Sequence, residues 1–467
     1  MKEILLIMSS AYCNPELQVE FGKIPAAYVP VNNRRLFDLQ KEMMGIPEED
    51  TYIALPDDYR GEVHQDRVIL NPPDASIELA YARALHYLAY ELDLSQNYRI
   101  HVLWGDTLVL KKSTTPCVGV SNTDTNFYWD RLGNRVFNGY LCFTTGSSNF
   151  LIEARRPFIY LDHTVNPLLR NTVQSLPRRF FSNDEWFDFG HNSTYWKSKS
   201  HFLSTRHFNS IQVMDNVVTK TSTVQRVAGE IGWFTSIPDS IRMYTPQVER
   251  TSSYSYKIEY LPNPSLAELY VYGNKTNEWW ISTLSKVLDF VELCRQYKGQ
   301  SVDPLFLGKA EIRHGASPWH SLHVDRAMKS MSTFHMPATI IHGDLCFSNI
   351  LYDSRSNSIK VIDPRGLDYN DLPSIFGSSL YDLAKIYHSL FGLYDRIMAG
   401  MSLKSNPTLC RWFEREVYNR FLVTPFMLRT MTGLLFTSMV PLHMDVPGRA
   451  KRLHQRGIDI LRRTSHD

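Results

Sequence analysis

The chain has 467 residues, 43% hydrophobic and 21% charged, too long for one ordinary core and too balanced in composition for a disordered protein. Its 50 Lys and Arg against 48 Asp and Glu leave a formal charge of +2, and the basic runs RRFF and KRLHQR are short and isolated, so composition does not call for a nucleic-acid partner. Six scattered cysteines without a CxxC pair fit neither a zinc site nor a disulfide framework, and no apolar run reaches the ~20 residues that cross a bilayer.

These features predict a two-domain protein of a reducing, cytoplasmic compartment, without membrane insertion. The opening MKEILLIMSS reads as a first buried strand rather than a leader, because its apolar run is short and meets a polar loop. That strand, at 4–8, leads through a long loop to a helical pattern at 34–44 with Leu36, Phe37, Leu39, Met43 and Met44 as its apolar positions. Strands follow at 51–55 and 67–70, then a helix at 77–92 and a buried strand at 100–104. Strands alternating with helices predict an α/β domain with a mixed, mostly parallel sheet. Trp104-Gly105-Asp106 ends the last of these strands, where an open sheet places its ligands.

Further along lie Asn138-Gly139-Tyr140 and Trp186-Phe187-Asp188-Phe189-Gly190-His191. In this order the segments resemble sugar-phosphate nucleotidyltransferases. Pro25, Pro30 and Val31 of FGKIPAAYVPVNNRRLFDLQ match that family's triphosphate segment, whereas SSAYCNPELQ lacks its glycines and arginine and Ala26 replaces its lysine. The resemblance implies a Rossmann-like domain over 1–207 in which Asp106 and Asp188 hold Mg²⁺ and Asn138 and Gly139 line the sugar site. It also implies a displaced cation for the triphosphate, Lys23, with Arg34 and Arg35 as alternatives. A domain that lost those cations and only binds or assembles stays open.

From 208 to 220 the pattern changes to a half-buried antiparallel strand and turn, and a helical segment follows at 223–236. The domain boundary is therefore expected at 207/208, with a smaller lobe at 208–276 and a helix-rich lobe at 277–467. Lys220 ends the strand-like run and Glu230 sits ten residues later, a spacing that suits an ion pair steering a lysine onto ATP phosphates. A strand and hinge at 256–261 would present Glu259, Tyr260 and Leu261 to adenine. A Gly-rich phosphate loop is absent, and the segment 204–209 is the candidate cover.

In IIHGDLCFSNILYDSRSNSIKVIDPRG, apolar strands at 350–353 and 359–362 flank the polar SRSNS, the pattern of a β-hairpin. Pairing Asp353 with Ile359 would set Asn349 opposite Asp363, with Asp344 in the loop five residues before Asn349. Phosphoryl transfer needs such a set: oxygen ligands for Mg²⁺ and a carboxylate for the attacking hydroxyl. The H-x-D-x-x-x-x-N spacing resembles the protein-kinase catalytic loop. Gly343 in place of its arginine, and Pro364-Arg365-Gly366 after Asp363, make it similar to the aminoglycoside phosphotransferase and choline kinase family. That resemblance implies a protein-kinase-like, two-lobed α+β domain using ATP and Mg²⁺. Asp344 would be its base, Asn349 and Asp363 its metal ligands, and Arg365 a substrate contact. Tyr381-Asp382-Leu383-Ala384-Lys385 resembles the helix after the metal site, where Asp382 is expected to be structural.

Together the two resemblances imply a bifunctional enzyme. Its kinase would phosphorylate a sugar, polyol or similar small alcohol with ATP. A second NTP, CTP or UTP favoured, would then convert the phosphate into an activated donor for capsule or other surface polysaccharide. The alternative is the same kinase joined to a catalytically inactive binding or assembly domain. The acceptor is not readable from spacing, and a homo-oligomer is left open.

Overall fold

Five consecutive buried residues, Ile4 to Met8, set the centre of the first sheet. Their side chains alternate between two cores. Ile4, Leu6 and Met8 pack with Tyr81, Leu85, Val102 and Phe143, while Leu5 and Ile7 pack with Tyr28, Phe37 and Leu103. A strand covered on both faces reads as an unbroken apolar run, and each fully buried aliphatic side chain in it contributes about 1.5–3 kcal/mol.

The computed structural model describes all residues except 64, 94, 124–130, 133–134, 146–177, 181–185, 203–209, 215, 222–224 and 465–467. The chain divides into two units, Met1–Leu203 with Tyr272–Asn274 and Ser204–Val271 with Lys275–Asp467. In the first, Lys2–Met8 runs parallel to Thr51–Pro56 on one side and Tyr98–Trp104 on the other, with Val68–Asn71 parallel beyond Thr51–Pro56. Arg135–Thr144 lies antiparallel to both Tyr98–Trp104 and Cys117–Ser121, and Arg178–Phe180 closes that edge parallel to Cys117–Ser121. The sheet is thus mixed with a parallel centre.

Helix Ile77–Glu91 begins where the Ser76 hydroxyl accepts the Leu79 N–H at 3.2 Å, and it covers one face. Helix Leu36–Met44 covers the other. It starts two residues later than the apolar pattern predicts, because Arg34–Arg35 pairs antiparallel with Pro30–Val31. Met8 and Trp104 are register neighbours, so the residues following each leave the sheet side by side.

The second unit carries an antiparallel sheet in the order Ser210–Met214, Val217–Thr221, Ser255–Glu259, Val248–Arg250, followed in sequence from the second strand by helix Gln225–Ser236. Its remainder is mainly helical, from Asn277–Arg295 to Pro447–Thr464. The expected hairpin forms from Ile350–Asp353 and Ser358–Val361, but its register differs by one residue. Asp353 faces Ser358, not Ile359. The Asp353 carboxylate accepts the Arg355 N–H at 2.9 Å and the Ser356 hydroxyl at 2.7 Å, and Asn357 adopts φ +52°, which shortens the loop. Ile362 then donates its N–H to the Asn349 carbonyl at 3.0 Å, so Asn349 and Asp363 are not a facing pair.

All six cysteines are buried thiols. No described helix is long and apolar enough to cross a membrane.

Candidate functional site

Two centres emerge, one in each unit. In the second unit the chain leaves the short strand Thr339–Ile340 and turns through His342-Gly343-Asp344. His342 is wholly buried. Its Nε2 lies 3.0 Å from the Ile362 carbonyl, which can only accept, and its Nδ1 takes the Asp344 N–H at 3.3 Å, so the ring carries one proton, on Nε2. Burial pushes its pKa down to about 4, which keeps it neutral. Asp382, from helix Ser379–Leu390, holds the same turn by accepting the N–H groups of His342 and Gly343 at 2.7 and 2.9 Å. Gly343 sits at φ +78°, and a Cβ there would come 2.8 Å from the Cβ of Arg365, so the arginine of the protein-kinase spacing has no room.

The turn aims Asp344 at two donors. Asn349 Nδ2 donates to the Asp344 carbonyl at 2.8 Å and to Oδ2 at 3.2 Å, while Lys385 Nζ lies 2.9 Å from Oδ1. Burial alone would raise the Asp344 pKa, but the Lys385 charge overrides it and holds the carboxyl at about 2. The carboxylate remains 43% exposed and open to a ligand.

Beside it, Lys220 Nζ lies 2.7 Å from Glu230 and 3.1 Å from Asp363. Tyr256 completes the group by donating its hydroxyl to Glu230 at 2.7 Å. The lysine is 8% exposed, and although burial works against its charge, Asp363 and Glu230 hold its pKa above the ordinary value. Asp363 adopts φ +57° just past the hairpin and is half exposed, so one carboxylate of the group faces outward. Asp363 and the Asn349 Oδ1, whose contact in the structure is a 3.3 Å bond from the Ser348 hydroxyl, are the hard oxygen donors that fit Mg²⁺.

Of the three expected hinge residues, Glu259 donates its N–H to Gln247 and Tyr260 donates its own to Asn216, at 2.9 and 2.8 Å. Those two N–H groups are therefore engaged by backbone carbonyls. The expected cover at 204–209 lies outside the described residues. Arg365 stacks its guanidinium 4.2 Å from the Phe306 ring centre and donates to the Asp368 carbonyl at 3.3 Å.

In the first unit a cavity of about 270 Å³ opens where strands Lys2–Met8 and Tyr98–Trp104 end, lined by Ser9, Ser10, Tyr12, Asn14, Asp106 and His191 among others. Asp188, which ends strand Trp186–Asp188 paired with Thr107–Val109, lies near Asp106 behind the lining residue Gly190, whose N–H it accepts at 2.8 Å. A side chain at Gly190 would put its Cβ 2.8 Å from Asp106 Oδ2 and 3.2 Å from Asp188 Oδ1, so both carboxylates converge on a spot that only glycine leaves clear. Burial, and then the charge of Asp188, push the Asp106 pKa up to about 6. Asp106 Oδ1 is buried with no hydrogen-bond donor among the described residues. Two adjacent carboxylates, one of them raised in pKa by the other and carrying an unanswered oxygen, fit a divalent cation.

Other expected residues of this unit stand elsewhere. Lys23 bonds Asp58 at 3.1 Å and lies over the Tyr12 ring, outside the cavity lining. Arg34 pairs with Glu42 at 2.6 Å, and Arg35 lies over Tyr28 and donates to the Glu62 carbonyl. Asn138 is fully buried, with its amide donating to Ser121 and its oxygen accepting the Tyr140 N–H, and Gly139 has φ +79° at the bulge of the same strand. Both are engaged in the sheet.

No family model matches the chain, and no curated protein matches it. Among solved structures it is similar to a nucleoside-diphosphate-sugar pyrophosphorylase from Vibrio cholerae RC9, at 11% identity and TM-score 0.32, over 42% of this chain and 99% of that one. It is also similar to a choline/ethanolamine kinase family protein from Mesorhizobium loti, at 11% identity and TM-score 0.35, over 55% of this chain and 90% of that one. The choline kinase LicA from Streptococcus pneumoniae aligns at 10% identity and TM-score 0.36, over 55% of this chain and 90% of that one. Both kinds of protein that the motifs resemble are thus among its structural neighbours. Likenesses this distant carry no functional argument, which rests on the side chains of the two centres.

Sequence reasoning passed over Lys385 and Tyr256. A signal for the first was present: Lys385 stands three residues after Asp382 on one helix, so a helix that turns Asp382 toward the catalytic-type turn turns Lys385 there too. The pair has a measurable consequence. Asp344, held at about 2, stays ionised across the working pH range. In Lys385→Met the largest influence opposing burial is lost and the Arg365 charge remains, and the acid limb of the phosphorylation rate profile is expected to rise by about 1–3 pH units. A profile that does not move would show that Lys385 does not set the charge of Asp344.

Proposed function

We propose that this chain is a bifunctional transferase. Its second unit moves the γ-phosphoryl group of ATP to the hydroxyl of a sugar, polyol or similar small alcohol. Its first unit then joins a nucleotidyl group from a second NTP, CTP or UTP favoured, to the new phosphate. The observation that carries the reading is the convergence of Lys220 on Glu230 and Asp363 in the same unit that holds Asp344 against Asn349 and Lys385.

Lys220, fixed by Glu230, orients the nucleotide phosphates, and Asp344 orients the acceptor hydroxyl and takes its proton as the oxygen attacks the γ-phosphorus and ADP leaves. A carboxylate held at about 2 is a weak base. That suits a loose transition state in which the proton moves late and positioning supplies most of the rate. Mg²⁺ held by Asn349 and Asp363 would neutralise phosphate charge.

In the first unit, Asp106 and Asp188 suit a metal-assisted attack of the sugar phosphate on the α-phosphorus of the NTP, with pyrophosphate leaving. The product is an activated donor of the kind consumed in making capsule or other surface polysaccharide. A second reading, in which this unit binds without catalysis, is favoured by one observation: no lysine or arginine is among the described residues lining its cavity.

Pyrophosphate release, measured with each of the four NTPs over a panel of sugar phosphates, separates the two. The bifunctional reading expects turnover with CTP or UTP, reduced about 10²–10³-fold in Asp106→Asn. The melting temperature of the metal-free variant should hold or rise, because the amide ends the repulsion from Asp188. No release with any NTP from a protein whose kinase is active would leave only the second reading.

A further inference from the structure

We propose that Ser389, backed by Asp395, is a positioning residue of the kinase centre: it fixes the turn that carries Asn349 and so sets where that side chain presents its oxygen to Mg²⁺. This rests on the kinase reading above. Asp382, Lys385 and Ser389 stand three and four residues apart on helix Ser379–Leu390, which puts them on one face. Asp382 takes the N–H groups of His342 and Gly343, Lys385 holds the Asp344 carboxylate, and the Ser389 hydroxyl oxygen accepts the Phe347 N–H at 3.2 Å. One helix face thus grips the loop at its start, at its carboxylate and at the turn Phe347–Asn349. The third grip falls two residues before Asn349.

Phe347 is fully buried, and its N–H is one that a helical turn leaves unanswered at its start. Its ring is stacked 5.7 Å from that of Trp280 and meets Tyr270 edge-on at 5.4 Å, so ring and N–H are held by different partners. A helical serine or threonine commonly gives its proton to the carbonyl four residues back, as Ser285, Thr235 and Thr432 do here. Ser389 gives it instead to Asp395 of helix Tyr394–Met398. The hydroxyl is thereby committed at both ends, its proton to the carboxylate and its oxygen to Phe347. Asp395 is 7% exposed, and burial raises its pKa to about 6, which leaves it ionised and accepting at neutral pH. Burying a carboxylate costs stability, and aiming Ser389 is what this one does.

Asn349 ties its amide nitrogen to the Asp344 carbonyl at 2.8 Å, while its Oδ1, with Asp363, forms the donor set for Mg²⁺. That ion accepts little departure from octahedral geometry, and groups that orient a metal's ligands typically carry about 10–100-fold of its affinity. Without Ser389 the buried Phe347 N–H loses its acceptor, and the turn must shift to find another. Asp344 keeps its own supports, Asp382 and Lys385.

The test uses the full chain and measures, by calorimetry, the binding of a non-hydrolysable ATP analogue over a range of Mg²⁺ concentrations. Ser389→Ala is expected to raise the Mg²⁺ concentration for half-maximal binding about ten-fold, with analogue affinity at saturating Mg²⁺ changed by less than about two-fold. Asp395→Leu should show the same shift, and Asp395→Asn, which can still accept from Ser389, should recover most of it. Thr432→Val removes an equally buried hydroxyl from helix Pro425–Ser438 and reports the loss of a buried hydrogen bond alone. It should lower the melting temperature and leave the Mg²⁺ midpoint in place. A Ser389→Ala protein that melts lower but keeps the wild-type midpoint overturns the proposal. If that variant does not fold, an unmoved midpoint in Asp395→Leu does the same. Wild-type protein without Mg²⁺-dependent binding removes the kinase reading beneath, whereas wild-type binding with unmoved variants removes only the role of Ser389 and Asp395.

Discussion

Replacing Asp344 with alanine is expected to lower ATP-dependent phosphorylation by about 10²–10⁴-fold while leaving pyrophosphate release from supplied sugar phosphate intact. The carboxylate is held from two sides, by the Asn349 amide and by Lys385, and the turn beneath it is fixed by Asp382, so its direction is built into the fold. Alanine removes the group that would take the hydroxyl proton and also leaves Lys385, 12% exposed, without its carboxylate. Asp344→Asn keeps the shape and still accepts from Lys385, so it separates the chemical loss from any loss of stability. Both variants should lose the kinase reaction, and urea melts should show alanine as the less stable. If both reactions vanished in a folded variant, two independent centres could not be maintained.

How far the sequence discloses this arrangement differs between the two units. Strand Lys2–Met8 is legible because burial on both faces demands an uninterrupted apolar run. The convergence of Asp106 and Asp188 is legible only through the resemblance of the segments that carry them, and Gly190's missing side chain gives both carboxylates their space. Partner choice is the part that spacing does not encode. Lys23 stands at the right distance along the chain from the triphosphate segment, yet Asp58, 35 residues on, takes its charge. Asn138 has the chemistry of a sugar ligand, but Ser121 on the neighbouring strand answers its amide.

The hairpin makes the same point at finer scale. Its two strands are plain from their apolar alternation, but register depends on how the Asp353 side chain folds the loop, and one residue moves Asp363 from opposite Asn349 to a position beyond the strand. Asp363 then meets Lys220, 143 residues away in sequence, rather than Asn349. Long-range ion pairs of that kind are set by tertiary packing, which explains why Lys220 and Glu230 could be matched by spacing whereas the third member of their group could not.

That three-membered group supports the second large expectation. Lys220→Met should cost about 3–5 kcal/mol of stability in urea melts, because it leaves Glu230, 10% exposed, with its charge unanswered except by the Tyr256 hydroxyl. Phosphorylation should fall about 10²–10³-fold through loss of a charge that meets the nucleotide phosphates. Stability and function can be separated by adding Glu230→Gln, which neutralises the stranded carboxylate and keeps an acceptor for Tyr256. The double variant is expected to regain most of the lost stability and none of the lost activity. Were activity to return with stability, Lys220 would serve only to neutralise Glu230 and Asp363, and the assignment of the ATP phosphates to this group would fall.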